Sequence, residues 1–331
     1  MKETLEFLYA GGKLSRPEAE EILVKIGKNS FTEIEISSFL TVFLMRTIEP
    51  AELAGFRDAL LRLCLPVDLE GYDTIDVCGT GGDGKNTFNI STISSFVLAG
   101  AGIKVSKHGN FGVSSPVGSS NILEHFGYRF SNDSQKARRE IETAGITYLH
   151  APLFHPAMKY VAPVRKALRT KTFFNMLGPM INPAFPKYQL VGVYSTGVQS
   201  LYDQVYRQSN QQYMILHGLD GYDEISLTGE VKVVTFDREE MVNAGTFGFE
   251  KVDQIDLYGG ETTDEAATIF MNILKNKSTL HQKNVVLANS AAAIRCIHTG
   301  KSWEECLALS RESLESGKAL QAFNRLISMQ S

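Results

Sequence analysis

Over residues 1–65 the apolar positions recur at a helical spacing. Ser15 and Glu18 have the spacing of a capping box, and Ala19, Ile22, Leu23 and Ile26 follow on one face. Thr32 and Glu35 repeat the device ahead of Ile36, Phe39, Leu40, Phe43 and Leu44. Leu53, Phe56, Leu60 and Leu63 line a third helix, closed by Pro66. Short amphipathic helices must bury their apolar stripes, so this part predicts a small bundle that packs on a further surface, such as a second subunit.

From residue 74 the pattern changes. "TIDVC" (74–78) reads as a short buried strand, followed by a glycine-rich loop and a helix from about Ser91. "IKVS" (103–106), "ITYLH" (146–150), "YQLVGVYS" (188–195) and "YMILHG" (213–218) are further strands. Between them lie helices at "SNILEHFG", "SQKARREIETAG" and residues 201–208. The alternation predicts an α/β fold, a largely parallel sheet flanked by helices, with a smaller all-helical domain. The proline-rich stretch 151–186 breaks the rhythm and reads as the connection between the two; the tail from Lys283 is mostly helical. Parallel sheets of this kind bind ligands in the loops at the carboxyl ends of their strands.

Composition narrows the class. A chain of 331 residues favours two domains, and 43% hydrophobic with 21% charged residues is ordinary for a soluble globular protein. A net charge of -4 argues against a general nucleic-acid binder. Cys64, Cys78, Cys296 and Cys306 show no C-x-x-C spacing and read as reduced, mostly buried thiols, Cys78 as a small residue at a strand end. The N-terminus lacks the apolar core of a signal peptide and no run is long enough to span a bilayer, so the expected location is cytoplasmic, with no membrane partner.

The segment "DVCGTGGDGKNTFNIS" (76–91) satisfies G-x-G-x-x-G with Gly79, Gly81 and Gly84. It nearly satisfies the P-loop pattern too, but Asn86 stands where a hydroxyl residue belongs. A dinucleotide site needs an acidic residue about 20 positions further on, to hold a ribose hydroxyl. Residues 84–123 contain no Asp or Glu. A P-loop needs a magnesium-binding hydroxyl after the lysine, and Asp83 inside the cradle would repel polyphosphate. The acid-free stretch instead offers Lys85, Lys104, Lys107, His108 and many hydroxyls. "NIST" (89–92) presents amides and hydroxyls at a helix start, a favourable place for an anion, and "GSSN" (118–121) repeats the arrangement. Helix capping accounts for Ser119 but not for the polar, glycine-containing "KHGNFGVSS" (107–115). Asp83 among anion donors suits sugar hydroxyls, or a metal approached through water. The implied ligand is a sugar carrying phosphates.

"HGLDGYDEISLTG" (217–229) follows a strand, so its adjacent Asp223 and Glu224 belong at a carboxyl end. Magnesium takes one or two carboxylates plus phosphate oxygens, and an acid-free phosphate site must draw them from elsewhere in the fold; the bland alternative is an exposed acidic turn. In "FHPAMKYVAPVRKAL", His155, Lys159 and Arg165 are candidates to face the site, with Arg165 as a carboxylate fork or a surface residue. His217 and His150 read as satisfying local hydrogen bonds; His125, His281 and His298 read as surface residues.

Taken in order, "GTGGDG", "NIST", "KHGN", "GSSNILEHFG", "HPAMKYVAPVR", "FNMLGPMINP" and "DGYDEIS" resemble the anthranilate phosphoribosyltransferases, a family of the nucleoside phosphorylase-like phosphoribosyltransferase superfamily. The resemblance runs over nearly the whole chain. It implies a helical bundle domain over 1–70, joined by part of 152–188, and an α/β phosphoribosyl-transfer domain over 71–331. It implies transfer from phosphoribosyl pyrophosphate to anthranilate in tryptophan biosynthesis, and a homodimer through the helical domain. By the same resemblance Gly79, Gly82, Asp83, Thr87, Asn89, Ile90, Ser91 and Thr92 would bind the phosphoribosyl donor. So would Lys107, His108, Gly109, Asn110, Ser114, Ser115 and Ser119. Ser91, Asp223 and Glu224 would ligate Mg2+, two ions in all. Asn110, Arg165 and Gly79 would contact anthranilate, His155 would be a further substrate-binding residue, and Lys107, Asn110 and Arg165 would carry the catalysis.

Two departures stand out. The family usually places Arg after "KHGN", where Phe111 and Gly112 follow here, and it tends to have a small residue and Asp where Ser120 and Asn121 stand. Two rival readings remain open on sequence. A pyrimidine nucleoside phosphorylase on the same scaffold would use inorganic phosphate and need no acid pair. A non-catalytic nucleic-acid-binding relative would be basic, with a degraded acid pair, which the net charge and the intact Asp223–Glu224 oppose.

Overall fold

The computed structural model describes residues 1–112 and 116–330. The chain divides into two compact units, residues 1–66 with 151–183, and residues 67–150 with 184–331.

In the first unit the helices Arg16–Gly27, Glu33–Met45 and Pro50–Leu63 form where the apolar spacing places them, and both capping boxes close at Ser15/Glu18 and Thr32/Glu35. A further helix, Lys2–Tyr9, escaped the pattern because it buries only Leu8. The Arg16–Gly27 and Pro50–Leu63 helices approach closely at Gly55, where a Cβ would lie 2.3 Å from the Arg16 carbonyl oxygen. Phe39, Phe43 and Phe56 meet Phe173, whose ring stacks on Phe56 at 4.4 Å, so residues 151–183 share the bundle's core. Glu52 is fully buried and accepts from both terminal nitrogens of Arg46 (2.8 and 2.5 Å) and from the amides of Leu14 and Glu49.

The second unit is built on seven strands: β1 (Thr74–Gly79), β2 (Lys104–Gly109), β3 (Ile146–His150), β4 (Tyr188–Gly192), β5 (Gln212–Gly218), β6 (Val231–Thr235) and β7 (Glu239–Val242). Their order is β3-β2-β1-β4-β5-β6-β7. The pairs from β3 to β5 are parallel; β6 and β7 add antiparallel at one edge. The hairpin was not anticipated: β7 is Glu-Glu-Met-Val with only Val242 buried, so it lacks an apolar alternation.

The order reverses direction between β1 and β4. Successive crossovers carry β1 to β2 to β3 on one side and β4 to β5 on the other, which opens a crevice at the carboxyl ends of β1 and β4. The glycine loop leaves β1 at that point. The helices Ile90–Gly100 and Leu280–Ile297 are the most enclosed of the unit, the latter buried continuously from Asn284 to Cys296. A helix buried on every side shows no amphipathic stripe, which is why the tail reads from sequence only as helical.

Candidate active site

The switch point is lined by glycines for a steric reason. Gly79 and Gly192 are register partners at the ends of β1 and β4. A Cβ on Gly79 would sit 2.3 Å from Asp223 Oδ2, and one on Gly192 would sit 1.4 Å from the Asp223 carbonyl oxygen. The loop carrying Asp223 therefore crosses directly over the two strand ends. Gly192 was missed in the sequence; its one signal is a glycine inside the otherwise apolar run "LVGV". Beyond Gly79, the chain turns through Gly81 (φ 63°), Gly82 (φ 79°) and Gly84 (φ 72°), a left-handed conformation that L side chains resist. This turn aims the Gly81 amide at Asp223, whose Oδ2 accepts it at 2.8 Å.

Asp83 answers to the same residue. Its Oδ1 accepts from the Lys85 amide at 3.0 Å, and its carboxyl is a close neighbour of that of Asp223. Burial raises the pKa of Asp83. Burial, followed by the nearby Asp83 charge, pushes Asp223 up to about 7. Glu224 is held well above the usual carboxylate range by burial and by the Asp223 charge, against the opposing pull of the Lys107 ammonium. Three acids sharing one buried corner disfavour one another's charge, because each must ionise in a low dielectric beside its neighbours.

Cations are near but directed elsewhere. Lys107 is 2% exposed, and its ammonium donates to the Val77 carbonyl at 2.6 Å and to Ser91 Oγ at 3.4 Å. Among the described residues no lysine, arginine or histidine is within ion-pair distance of Asp223 or Glu224. A narrow cavity is lined by Ser91, Asp223, Glu224, Gly192, Cys78 and Asn289. Its donors are two carboxylates and a hydroxyl, hard oxygen ligands that suit Mg2+, which completes its shell with phosphate and water. Among the described residues no group of three or more His, Cys, Asp or Glu forms a self-contained metal cage. An acid pair with no cation at ion-pair distance among the described residues fits the ion; the exposed-turn alternative does not hold, since Asp223 is 8% exposed and Glu224 half-buried.

Asn89 caps the Ile90–Gly100 helix without a side-chain capping hydrogen bond; its Nδ2 donates instead to the Val117 carbonyl at 3.2 Å. Ile90 and Thr92 are buried, so what this helix start presents is backbone and Ser91. Thr87 is fixed by a backbone bridge to Tyr258. At the end of β2, the His108 amide donates to buried Asp76 at 3.2 Å. Gly109 is confined: a Cβ there would lie 2.4 Å from both Ser119 Oγ and the Tyr148 hydroxyl. Asn110 is exposed, with its Oδ1 accepting from the Phe111 amide and its carbonyl accepting from Ser119 Oγ and the Ser120 amide. Ser114 and Ser115 lie outside the described residues.

Ser119 is not a cap. Gly118 holds that position, and the Ser119 hydroxyl turns to Tyr148 (2.8 Å) and Asn110. The departures noted in the sequence have structural counterparts. Asn121 Oδ1 accepts from the amides of Gly112 (3.0 Å) and Gly118 (2.9 Å), an acceptor role open equally to a carboxylate. Ser120 links the Tyr148 hydroxyl to His150 Nδ1. Phe111 packs edge-on to His150 at 4.9 Å and to Phe130 at 6.0 Å, an aromatic anchor for the turn after Asn110. His217 is satisfied locally, its Nδ1 donating to the Val193 carbonyl at 3.0 Å. His281 is half-buried and paired with Asp256, less of a surface residue than its sequence suggests.

The remaining candidates belong to the helical unit. His155 is buried, and desolvation lowers its pKa to about 4, so it is neutral at physiological pH. Arg165, on the helix Ala162–Leu168, donates to Asn175 Oδ1 at 3.3 Å and lies over the Phe174 ring at 5.5 Å. Among the described residues no carboxylate pairs with it.

Both units match models of one class. Residues 2–64 match the helical bundle domain of the glycosyl transferase family and residues 71–320 its α/β domain. The chain is 53% identical to an anthranilate phosphoribosyltransferase of Flavobacterium johnsoniae, over 98% of this chain and 98% of the relative. It is 50% identical to one from Bacteroides thetaiotaomicron, over 99% of each. The crystal structure of the Thermus thermophilus enzyme of that name superposes with a TM-score of 0.93 at 30% identity, covering 98% of both chains. A Saccharomyces cerevisiae anthranilate phosphoribosyltransferase, in complex with PRPP and Mg, superposes with a TM-score of 0.91 at 26% identity, covering 98% of this chain and 96% of that one. The chain belongs to the anthranilate phosphoribosyltransferase family.

Proposed function

We propose that the protein transfers the phosphoribosyl group of 5-phosphoribosyl 1-pyrophosphate to the amine of anthranilate, giving N-(5-phosphoribosyl)anthranilate and pyrophosphate in tryptophan biosynthesis. Its full-length relatives carry that activity in their names. The observation that carries the reading to the residues is the Asp223–Glu224 pair, with no protein cation within ion-pair distance among the described residues, set against the glycine loop that opens the acid-free stretch 84–123.

The residues divide the work by charge. The amides and hydroxyls of the glycine turn, the 89–92 helix start, 107–110 and Ser119 receive the doubly phosphorylated ribose, and Asp83 accepts from a sugar hydroxyl. Ser91, Asp223 and Glu224 would hold Mg2+, two ions in all, which when bound neutralises charge on the departing pyrophosphate. Lys107 anchors Ser91 from below and adds positive potential to the same corner. Breaking the glycosidic bond leaves the ribose ring oxocarbenium-like, and pyrophosphate departs with the bonding pair. An arylamine is neutral near pH 7, so its nitrogen lone pair forms the new bond to the anomeric carbon without a strong base and the proton it then sheds passes to solvent or the departing pyrophosphate; the chain needs chiefly to orient it. Arg165 supplies the guanidinium fork for the anthranilate carboxylate. Asn110 and Gly79 contact the same substrate.

Exposed Phe7, Tyr9, Ile34 and Met45 on the helical unit support a homodimer through that unit. No helix is long and apolar enough to cross a membrane among the described residues. Consumption of anthranilate fluorescence, with the phosphoribosyl donor and with or without Mg2+, tests the reading directly. Phosphorolysis of uridine or thymidine with inorganic phosphate in place of that activity would overturn it.

A further inference from the structure

The loop that carries Asp223 and Glu224 is seated from below by the two strand-end glycines and from one side by Gly81. Its other side rests on one side chain from a distant part of the sequence. Asn289, in the middle of the buried Leu280–Ile297 helix, meets the backbone of Ile225, the residue after Glu224. Its Oδ1 accepts from the Ile225 amide at 3.0 Å, and its Nδ2 donates to the Ile225 carbonyl at 2.9 Å. The second Nδ2 hydrogen goes to the Val285 carbonyl, one turn back, at 2.8 Å. These partners fix the amide's orientation: the reverse one would set a donor against the Ile225 N–H.

A side-chain amide has the shape of a peptide group. Asn289 pairs with Ile225 as a neighbouring strand would, with donor and acceptor both satisfied. Asn289 is 2% exposed and Ile225 is fully buried, so water is a poor substitute on either side. Asn289 also lines the narrow cavity that holds Ser91, Asp223 and Glu224. No other side-chain type of this size offers both a donor and an acceptor in that fork; Asp lacks the donor and Leu lacks both.

We propose that Asn289 is a positioning residue for magnesium: its amide clamp on Ile225 fixes the backbone on which Asp223 and Glu224 present their carboxylates. It touches neither substrate and acts through the acid pair. The inference rests on the reading of that pair as the magnesium ligands.

The test uses the full chain and four variants: N289L, N289S, D223N and V286A. V286A shortens a fully buried side chain of the same helix and leaves the amide in place. Calorimetric titration of Mg2+ in the presence of inorganic pyrophosphate gives a readout independent of turnover, and the Mg2+ dependence of anthranilate consumption gives a second. N289L is expected to raise the half-saturating Mg2+ concentration about tenfold or more in both. Its KM for anthranilate stays near that of the unsubstituted protein, and V286A leaves the Mg2+ dependence unchanged. If N289L does not fold, N289S is held to the same criteria. An unchanged Mg2+ requirement in the Asn289 variant, or an equal shift in V286A, overturns the inference. D223N separates the two failures: if it too leaves the Mg2+ requirement unchanged, the magnesium reading of the pair falls, and the role of Asn289 with it.

Discussion

Glu52 in the helical unit is fully buried and Glu224 in the α/β unit is half-buried beside buried Asp223, and the two carboxylates are provided for differently. Glu52 receives a two-pronged arginine and two backbone amides from residues nearby in the same bundle, so its charge is matched by the fold itself. Glu224 stands beside Asp223 with Asp83 close by, has only the more distant Lys107 charge to oppose them, and is pushed well above the ordinary carboxylate range. Arginines in the helical unit show the complementary contrast. Arg46 is matched to Glu52, while Arg165, half-buried, meets an amide oxygen and an aromatic face. Buried charge matched internally is architecture; buried charge left for an outside partner marks where a ligand of opposite sign belongs. On this chain the unmatched acids point to a metal and the unmatched arginine to a carboxylate.

Substitutions at the two glutamates should therefore have opposite signs on stability. Replacing Glu224 with Gln removes a charge that burial disfavours. Thermal unfolding without Mg2+ should occur at an unchanged or higher temperature, while magnesium-dependent turnover falls by about a hundredfold or more. D223N should behave alike. A retained normal rate would take the pair out of the reaction. Replacing Glu52 with Gln should do the reverse. Turnover per folded molecule survives, but stability falls by about 3 kcal/mol in urea unfolding, because Arg46 keeps its charge and loses its partner. Equal destabilisation by E52Q and E224Q would erase the distinction between the two sites.

Much of this contrast was legible in the sequence, but only one side of each contact. The strands up to β5, the capping boxes and the acid-free stretch follow from spacing and residue type. So does the placement of Asp223 and Glu224 at a strand end, since a loop after an apolar run in an α/β chain must lie there. Gly192 and Asn289 left no such trace. Each matters through a backbone atom of the acid loop, 31 and 64 positions away from Asp223 and Ile225 respectively. A glycine or asparagine inside an apolar run does not say which distant backbone it meets. The edge strand β7 was hidden because only Val242 of its residues is buried, and β6, which pairs with it, interrupts its apolar run with Lys232. Phe111 read as a lost cation; its contacts with Phe130 and His150 depend on which strand neighbours β2, which only the sheet order reveals.

The unmatched arginine can be tested in the same spirit. R165A should raise the KM for anthranilate by roughly ten- to a hundredfold, the range expected when a charged hydrogen-bonding group is removed from a carboxylate. The KM for the phosphoribosyl donor should stay nearly constant. Damage shared equally by both substrates would mean that Arg165 supports the helical unit through Asn175 and Phe174 rather than binding the acid.

The smallest effect should come from a group that is fully matched yet touches Ser119, one of the residues proposed to receive the donor. The Tyr148 hydroxyl is shared between Ser119 (2.8 Å) and Ser120 (2.7 Å), and its ring is buried. Each serine keeps another partner when that hydroxyl is lost, Asn110 for Ser119 and His150 for Ser120. No buried polar group is then orphaned, and Y148F should cost only about 1 kcal/mol of stability. Ser119, however, loses one of the two contacts that orient its hydroxyl. The KM for the phosphoribosyl donor should rise a few-fold, with the KM for anthranilate and the Mg2+ requirement unchanged. A Y148F enzyme that loses turnover as severely as E224Q would show that charge matching alone does not separate architecture from chemistry here, because a neutral, internally satisfied network would be setting the reaction rate as strongly as the unmatched acids do.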